Sequence, residues 1–145
     1  MSKEYFMKQA IKEAKKCEKY LDVPVGVVLV KDGKIIARAY NQKEKYKCAT
    51  YHAELLAIKK ACKVVDDFRL EGVEAYVTLE PCLMCLGALL SARVSKVYFG
   101  AYDSRYGVSP VLDAIKFNHT LELCGGVLEE ECSALLSDFF KNIRK

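Results

Sequence analysis

Tyr76-Val77-Thr78-Leu79-Glu80-Pro81-Cys82-Leu83-Met84-Cys85 decides the architecture of this chain. Residues 75–79 have the β-branched and aromatic content of a strand, and Pro81 marks the opening of a helix, where its missing N–H costs nothing. Cys82 and Cys85 stand three apart on that helix, so both sulfurs share a face and can reach one ion. A helix N-terminus and a nearby metal each lower a thiol's pKa toward the thiolate that a metal needs. Upstream, His52-Ala53-Glu54 opens a second helical pattern. Zinc prefers four ligands in a tetrahedron, and a structural site normally takes all four from the protein. One imidazole and two thiolates leave a position for water, whose pKa the metal lowers toward neutrality. Glu54 lies two beyond His52, off the direction of the imidazole, which suits a proton carrier better than a fourth ligand. The two segments read as a hydrolytic zinc centre with His52, Cys82 and Cys85 as ligands.

Two other uses of Cys-x-x-Cys compete. A thioredoxin-like redox pair has no need of His52 or Glu54. A structural zinc knuckle needs a fourth ligand, for which Cys124 or Cys132 would have to serve, since His119 sits far along the chain in a surface loop.

Working outward, the opening segment sets Phe6, Met7, Ala10, Ile11, Ala14 and Cys17 along one side of a helix. Residues 23–30 form a nearly continuous apolar run, as in a strand buried on both faces. Asp32-Gly33 turns it into a hairpin partner over residues 34–40, and residues 41–51 are polar and loop-like. From His52 the stripe Leu55, Leu56, Ile58, Ala61, Cys62 and Val65 is helical. Residues 96–100 make a strand, a glycine-bearing loop runs through Pro110, and a short strand falls near residues 120–124. The final helix carries the stripe Leu135, Leu136, Phe139, Phe140 and Ile143. With no repeat or composition break, residues 1–145 read as one α/β domain, a mixed sheet between helices.

The bulk numbers agree with that. A chain of 145 residues, 52% hydrophobic and 29% charged, buries an ordinary core and is not disordered. Its apolar runs are far short of a membrane span, and its N-terminus lacks a signal-peptide layout, so the expected location is the cytoplasm and no membrane partner is expected. An odd count of seven cysteines argues against a disulfide framework; Cys17, Cys48, Cys62, Cys124 and Cys132 read as small apolar residues, Cys48 being the one set in a polar loop. The net charge of +4 permits nucleic-acid binding without requiring it. Lysines 8, 12, 15, 16 and 19 suit a solvated helix face, whereas Lys43, Lys45 and Lys47 crowd the loop leading into His52.

The spacing His52-x-Glu54 with Pro81-Cys82-x-x-Cys85 resembles the signature of the zinc nucleobase deaminases. The longer run from Tyr76 through Cys85, with Gly87-Ala88 and Ser91-Ala92-Arg93, resembles the bacterial tRNA-specific adenosine deaminases. So do Val23-Pro24-Val25-Gly26, Phe99-Gly100-Ala101 and the tail from Glu131 to Phe140. The resemblance spans almost the whole chain. It implies a three-layer α/β/α cytidine-deaminase-like fold with a central mixed five-stranded sheet, a homodimer and one zinc per subunit. It also implies conversion of adenosine to inosine at the wobble position of a tRNA, the anticodon stem-loop being the partner. Glu54 would carry a proton from water to the ring nitrogen and then to the departing ammonia. By the same resemblance Asn41 would bond the adenine, Val25 line its pocket, and Asp103 and Asn118 contact neighbouring nucleotides. Phe140 would stack on a base, and Lys141 and Arg144 would meet stem phosphates. Plain structural uses compete at each of these: Asn41 to cap a turn, Asp103 to hold its loop, Phe139 and Phe140 to fill a core. Two loops depart from the family pattern, at Cys48-Ala49-Thr50-Tyr51 and at Val108-Ser109-Pro110.

Two rivals remain. A deaminase of free bases such as guanine or cytosine would want a closed pocket without a basic rim, which the lysines of residues 43–47 disfavour. A non-catalytic, zinc-stabilised RNA-binding scaffold would have no use for Glu54.

Overall fold

A computed structural model of the chain describes residues 1–143. The apolar run after Pro24 forms β1 (Gly26–Lys31), where Val27 and Leu29 face one way and Val28 and Val30 the other, all buried. Burial on both faces is why the run does not alternate. The strand starts at Gly26, later than the expected residue 23. Asp32 and Gly33, at φ 51° and 75°, both take the positive φ that a two-residue hairpin turn requires, and β2 (Lys34–Tyr40) returns antiparallel. On its other side β1 pairs antiparallel with β3 (Val73–Leu79). β3 continues parallel to β4 (Lys96–Ala101) and β4 to the short β5 (Glu122–Cys124), giving the order β2-β1-β3-β4-β5. This is the mixed five-stranded sheet that the sequence led us to expect.

Helices cover both faces. α1 (Lys3–Ala14) and α5 (Glu129–Ile143) lay Phe6, Met7, Ala10 and Cys132 over Val28, Val30, Tyr76 and Tyr98. On the opposite face, α3 (Ala53–Val65) and α4 (Leu83–Ser91) pack Ala57, Ala61, Leu86 and Leu89 over Val27, Leu29, Val77, Val97 and Phe99. Each fully buried Leu or Phe contributes about 1.5–3 kcal/mol, so these two layers supply most of the driving force for folding. α1 crosses β1 at Gly26, where a Cβ would collide with the Ala10 carbonyl oxygen and the Ala14 nitrogen. None of the helices among the described residues is long and apolar enough to cross a membrane.

Several expectations shift. Residues 41–51 are not wholly loop, since they contain the four-residue α2 (Lys43–Tyr46). Four residues do not hold a helix alone. The first-turn amides of Glu44 and Lys45 are instead accepted by the buried Asp22 carboxylate at 2.7 and 3.4 Å. The loop expected through Pro110 ends in a 3-10 helix, Ser109–Ala114, with that proline at its start. α3 buries Ala53, Glu54, Ala57 and Ala61, while the larger Leu55, Leu56 and Ile58 stay half-buried at its flanks. In α5, Cys132 is the buried anchor, wedged against Gly100, and Phe140 and Ile143 are exposed rather than core. Pro81 stands one residue before the cap of α4, fixing the entry of the chain rather than occupying the first helical position.

Candidate metal centre

β1 runs antiparallel to β3, so its start lies beside the ends of β3 and β4 at one edge of the sheet. Both motif segments emerge there. His52 is the N-cap residue of α3 and Cys82 that of α4, each with extended backbone and a side chain not used in capping. Glu54 and Cys85 follow in the first turns of the two helices. The positive ends of two helix dipoles therefore meet at this point, which favours thiolate and carboxylate.

The three ligand atoms converge. His52 Nδ1 lies 3.8 Å from Cys82 Sγ and 3.5 Å from Cys85 Sγ, and all three atoms lie within 4.8 Å of one another. Zinc bonds of about 2.3 Å to sulfur and 2.0–2.1 Å to nitrogen, set tetrahedrally, separate such atoms by roughly 3.5 Å. The donor set and its spacing fit zinc. Contact with the Cys85 thiol lowers the Cys82 thiol to about 4, with help from the His52 ring. Cys85, beside that thiolate and buried, is pushed well up, and contact with Cys82 raises His52. Metal binding needs the thiolate, so a divalent cation held here displaces the thiol proton. Burial pushes the Glu54 carboxyl up to about 7, opposed by its own backbone N–H and the His52 ring. A buried carboxyl packed beside the ligands can both take and return a proton.

Asn41 braces the start of α3. Its side-chain oxygen accepts the Ala53 N–H at 2.8 Å, its amide donates to the Val23 carbonyl at 3.1 Å, and its own N–H donates to Val25 O at 3.0 Å. Hydrogen bonds of this kind contribute about 1 kcal/mol each, and these tie the start of α3 to the chain entering β1. Val25 is buried in the core on the α3 side. The Gln42 N–H donates to the Tyr51 carbonyl at 3.0 Å, closing the basic loop around α2. Lys45 then sits 4.7 Å over the Tyr20 ring and 5.0 Å over that of Tyr46, while Lys43 and Lys47 project from the same loop.

Among the described residues, the remaining candidates are not gathered at the metal cluster by any contact of their own. Asp103 Oδ1 accepts the Arg105 and Tyr106 amides at 3.0 and 3.1 Å, which is the loop-holding use. Asn118 is exposed, its carbonyl accepting from Arg93 at 3.3 Å. Phe140 is exposed and meets Phe139 edge-on at 5.2 Å; Lys141 is exposed one residue on. Arg144 lies outside the described residues. His119 is tied down rather than free, its Nε2 lying 2.9 Å from the Val94 carbonyl oxygen. Burial raises the Cys17 thiol to about 11 and that of Cys132 to about 12, as befits inert packing cysteines. Three further buried carboxylates, Glu13, Asp22 and Glu80, are not singled out by the sequence; Glu13 is paired with Lys16 at 2.8 Å. The one signal for Glu80 was its place between an apolar strand and Pro81.

Residues 1–101 match the model of the cytidine and deoxycytidylate deaminase zinc-binding region. The chain is 52% identical to the tRNA-specific adenosine deaminase of Bacillus subtilis (strain 168), over 98% of this chain and 91% of that protein. A solved structure from work on A-to-I editing by tRNA:A34 deaminases superposes with a TM-score of 0.86 at 36% identity, covering 91% of this chain and 99% of that one. The structure of guanine deaminase from Bacillus subtilis is more distant, with a TM-score of 0.69 at 32% identity over 98% of this chain and 95% of that one. With the zinc-type ligand set in place and likeness running nearly end to end, the chain belongs to the family of tRNA-specific adenosine deaminases.

Proposed function

We propose that this chain hydrolytically deaminates adenosine to inosine at the wobble position of tRNA. The observation that carries the reading is a buried carboxylate, Glu54, packed beside a cluster of only three metal ligands. Zinc, when bound by His52, Cys82 and Cys85, supplies a Lewis acid that brings the pKa of a coordinated water toward neutrality. Glu54 accepts a proton from the attacking water on its carboxylate and delivers it to the ring nitrogen beside C6. As the bond from C6 to the amino group breaks, Glu54 takes the second proton of the former water, from the hydroxyl now on C6, and gives it to the departing ammonia, so that C6 keeps the oxygen as a carbonyl. Asn41 holds the first turn of α3, and so His52 and Glu54, in register; its remaining amide hydrogen is free to orient the base. The target base has to stand outside a stack, which an anticodon loop provides. Val25 would wall the pocket, Asp103, Asn118 and Phe140 would meet flanking nucleotides, and Lys141 and Arg144 the stem. In this reading residues 1–145 act as one deaminase domain, and a tRNA substrate is in keeping with work in the cytoplasm.

The test is incubation of zinc-loaded protein with a tRNA bearing adenosine at the wobble position. Inosine is the expected product. Its absence, alongside deamination of free guanine or cytosine, would overturn the reading in favour of a free-base enzyme. That second reading rests on the guanine deaminase likeness, and salt separates the two. If the basic loop of residues 43–47 and the tail neutralise about three phosphates, kcat/KM on RNA should fall about 20-fold between about 50 and 200 mM salt. A free-base reaction should barely change.

The homodimer belongs with this function. α4 exposes Leu83 (64%) and Met84 (39%) immediately after the ligand Cys82, an apolar rim that a second copy would cover. Leu83→Lys is expected to sediment as a monomer where the wild type sediments as a dimer. A monomeric wild type would refute this assembly.

A further inference from the structure

Glu80 lies between β3 and the ligand Cys82, and its side chain does work that the reaction above does not use. It is buried, 4% exposed, and among the described residues no lysine or arginine pairs with it. Its partners are two backbone amides of one loop: Oε1 accepts the Asp103 N–H at 2.9 Å and Oε2 the Ser109 N–H at 2.7 Å. Burying a carboxylate is costly unless its lone pairs are met, so the amides it grips are the reason it is tolerated. Between those points the loop is closed on itself. The Gly107 N–H donates to Asp103 O at 3.0 Å, and Asp103 Oδ1 accepts the next turn's amides. What this clamped loop offers outward is Tyr102, Arg105 and Tyr106, all exposed. The Glu80 N–H itself extends the β3–β4 ladder by donating to Ala101 O at 2.9 Å, so the clamp is anchored at the sheet edge where the metal ligands emerge.

We propose that Glu80 is a positioning residue of the deamination, fixing residues 102–109 as the rim that receives the nucleotides flanking the target base. Tyr102 and Tyr106 give that rim stacking faces and Arg105 a phosphate or base contact, the chemistry of a single-stranded RNA site. The proposal rests on the deaminase reading above. It also explains why the residue is an acid. A carboxylate accepts on both oxygens, whereas glutamine would turn an NH2 group against one of the loop amides.

Glu80→Gln, nearly isosteric, is therefore the informative variant. Holoenzyme carrying it is expected to keep its zinc and to hold kcat within about twofold, while KM for an anticodon stem-loop with adenosine at the wobble position rises about tenfold. Amide hydrogen exchange across residues 103–109 should quicken at the same time. Gly107→Ala approaches the junction from the loop side, since its Cβ would collide with the Glu80 carboxylate, and should reproduce the KM rise with Glu80 intact. Unchanged KM and exchange in both variants overturn the proposal. So does loss of zinc or of kcat at constant KM, which would make Glu80 a support of the metal helix instead. A wild-type protein that forms no inosine overturns the deaminase reading and the rim's role together. An active wild type with an indifferent Glu80→Gln overturns the rim alone.

Discussion

Glu54→Ala is expected to retain one zinc per chain and to lose about 10²–10⁴-fold in turnover. Metal retention follows from the geometry. His52 Nδ1 already lies 3.8 and 3.5 Å from the Cys82 and Cys85 sulfurs, all three atoms lie within 4.8 Å of one another, and the carboxylate contributes no atom to that cluster. The backbone of α3 stays braced too, because Asn41 grips the Ala53 N–H and not the Glu54 side chain. What disappears is the buried carboxylate proposed to move a proton between water, ring and leaving group. Cys85→Ala is the contrast, since it removes a ligand from the buried side of the cluster and should lose metal and turnover together. Zinc content by elemental analysis and inosine formation by nucleoside chromatography separate the two cases. Undiminished turnover in zinc-loaded Glu54→Ala would refute the proton-carrier role.

The metal cluster was legible in sequence because its chemistry is local. Cys82 and Cys85 are set by one helical turn, and His52 with Glu54 by another. The sheet was legible for the same kind of reason: Asp32-Gly33 fixes a hairpin, and the continuous apolar run before it marks a strand buried on both faces. What escaped depends on partners distant in the chain. α2 exists because Asp22 reaches its amides from another segment, and no pattern within residues 41–51 carries that information. The clamp on residues 103–109 is likewise a carboxylate more than twenty residues upstream, |i−j| being 23 and 29 for its two bonds. The stripes of α3 and α5 marked the two helices but not their most deeply buried residues, for a steric reason. Where a helix lies close on the sheet it buries alanines, as α3 does with Ala53, Ala57 and Ala61, and the larger side chains move to its flanks. In α5 the close approach is at Cys132 over Gly100, which leaves Phe140, two turns on, exposed and available to a ligand.

Gly26→Ala should test how tightly the fold and the site are joined. The contact it breaks is between backbones. A Cβ at Gly26 would meet the Ala10 carbonyl oxygen and the Ala14 nitrogen, with Glu13 Cβ at 3.0 Å, and none of these can rotate aside. α1 has to lift from β1, and Phe6, Met7 and Ala10 lift with it from the core they share with Val28 and Tyr76. Overpacking against backbone of this sort costs about 3 kcal/mol, which lowers the melting temperature of a chain this size by roughly 10 °C. The damage should also reach the chemistry below that melting point. The Gly26 N–H donates to Thr78 Oγ1 at 3.1 Å, and the neighbouring Val25 carbonyl receives the Asn41 N–H at 3.0 Å. Displacing this strand end therefore shifts Asn41, and through it the first turn of α3 that carries His52 and Glu54. Thermal denaturation of the zinc-loaded protein, together with kcat/KM measured well inside its native range, checks both halves. A variant that melts like the wild type would mean that α1 and β1 are less tightly apposed than their backbones indicate. One that melts early yet keeps full kcat/KM would sever the proposed path from Gly26 through Asn41 to the helix that carries His52 and Glu54.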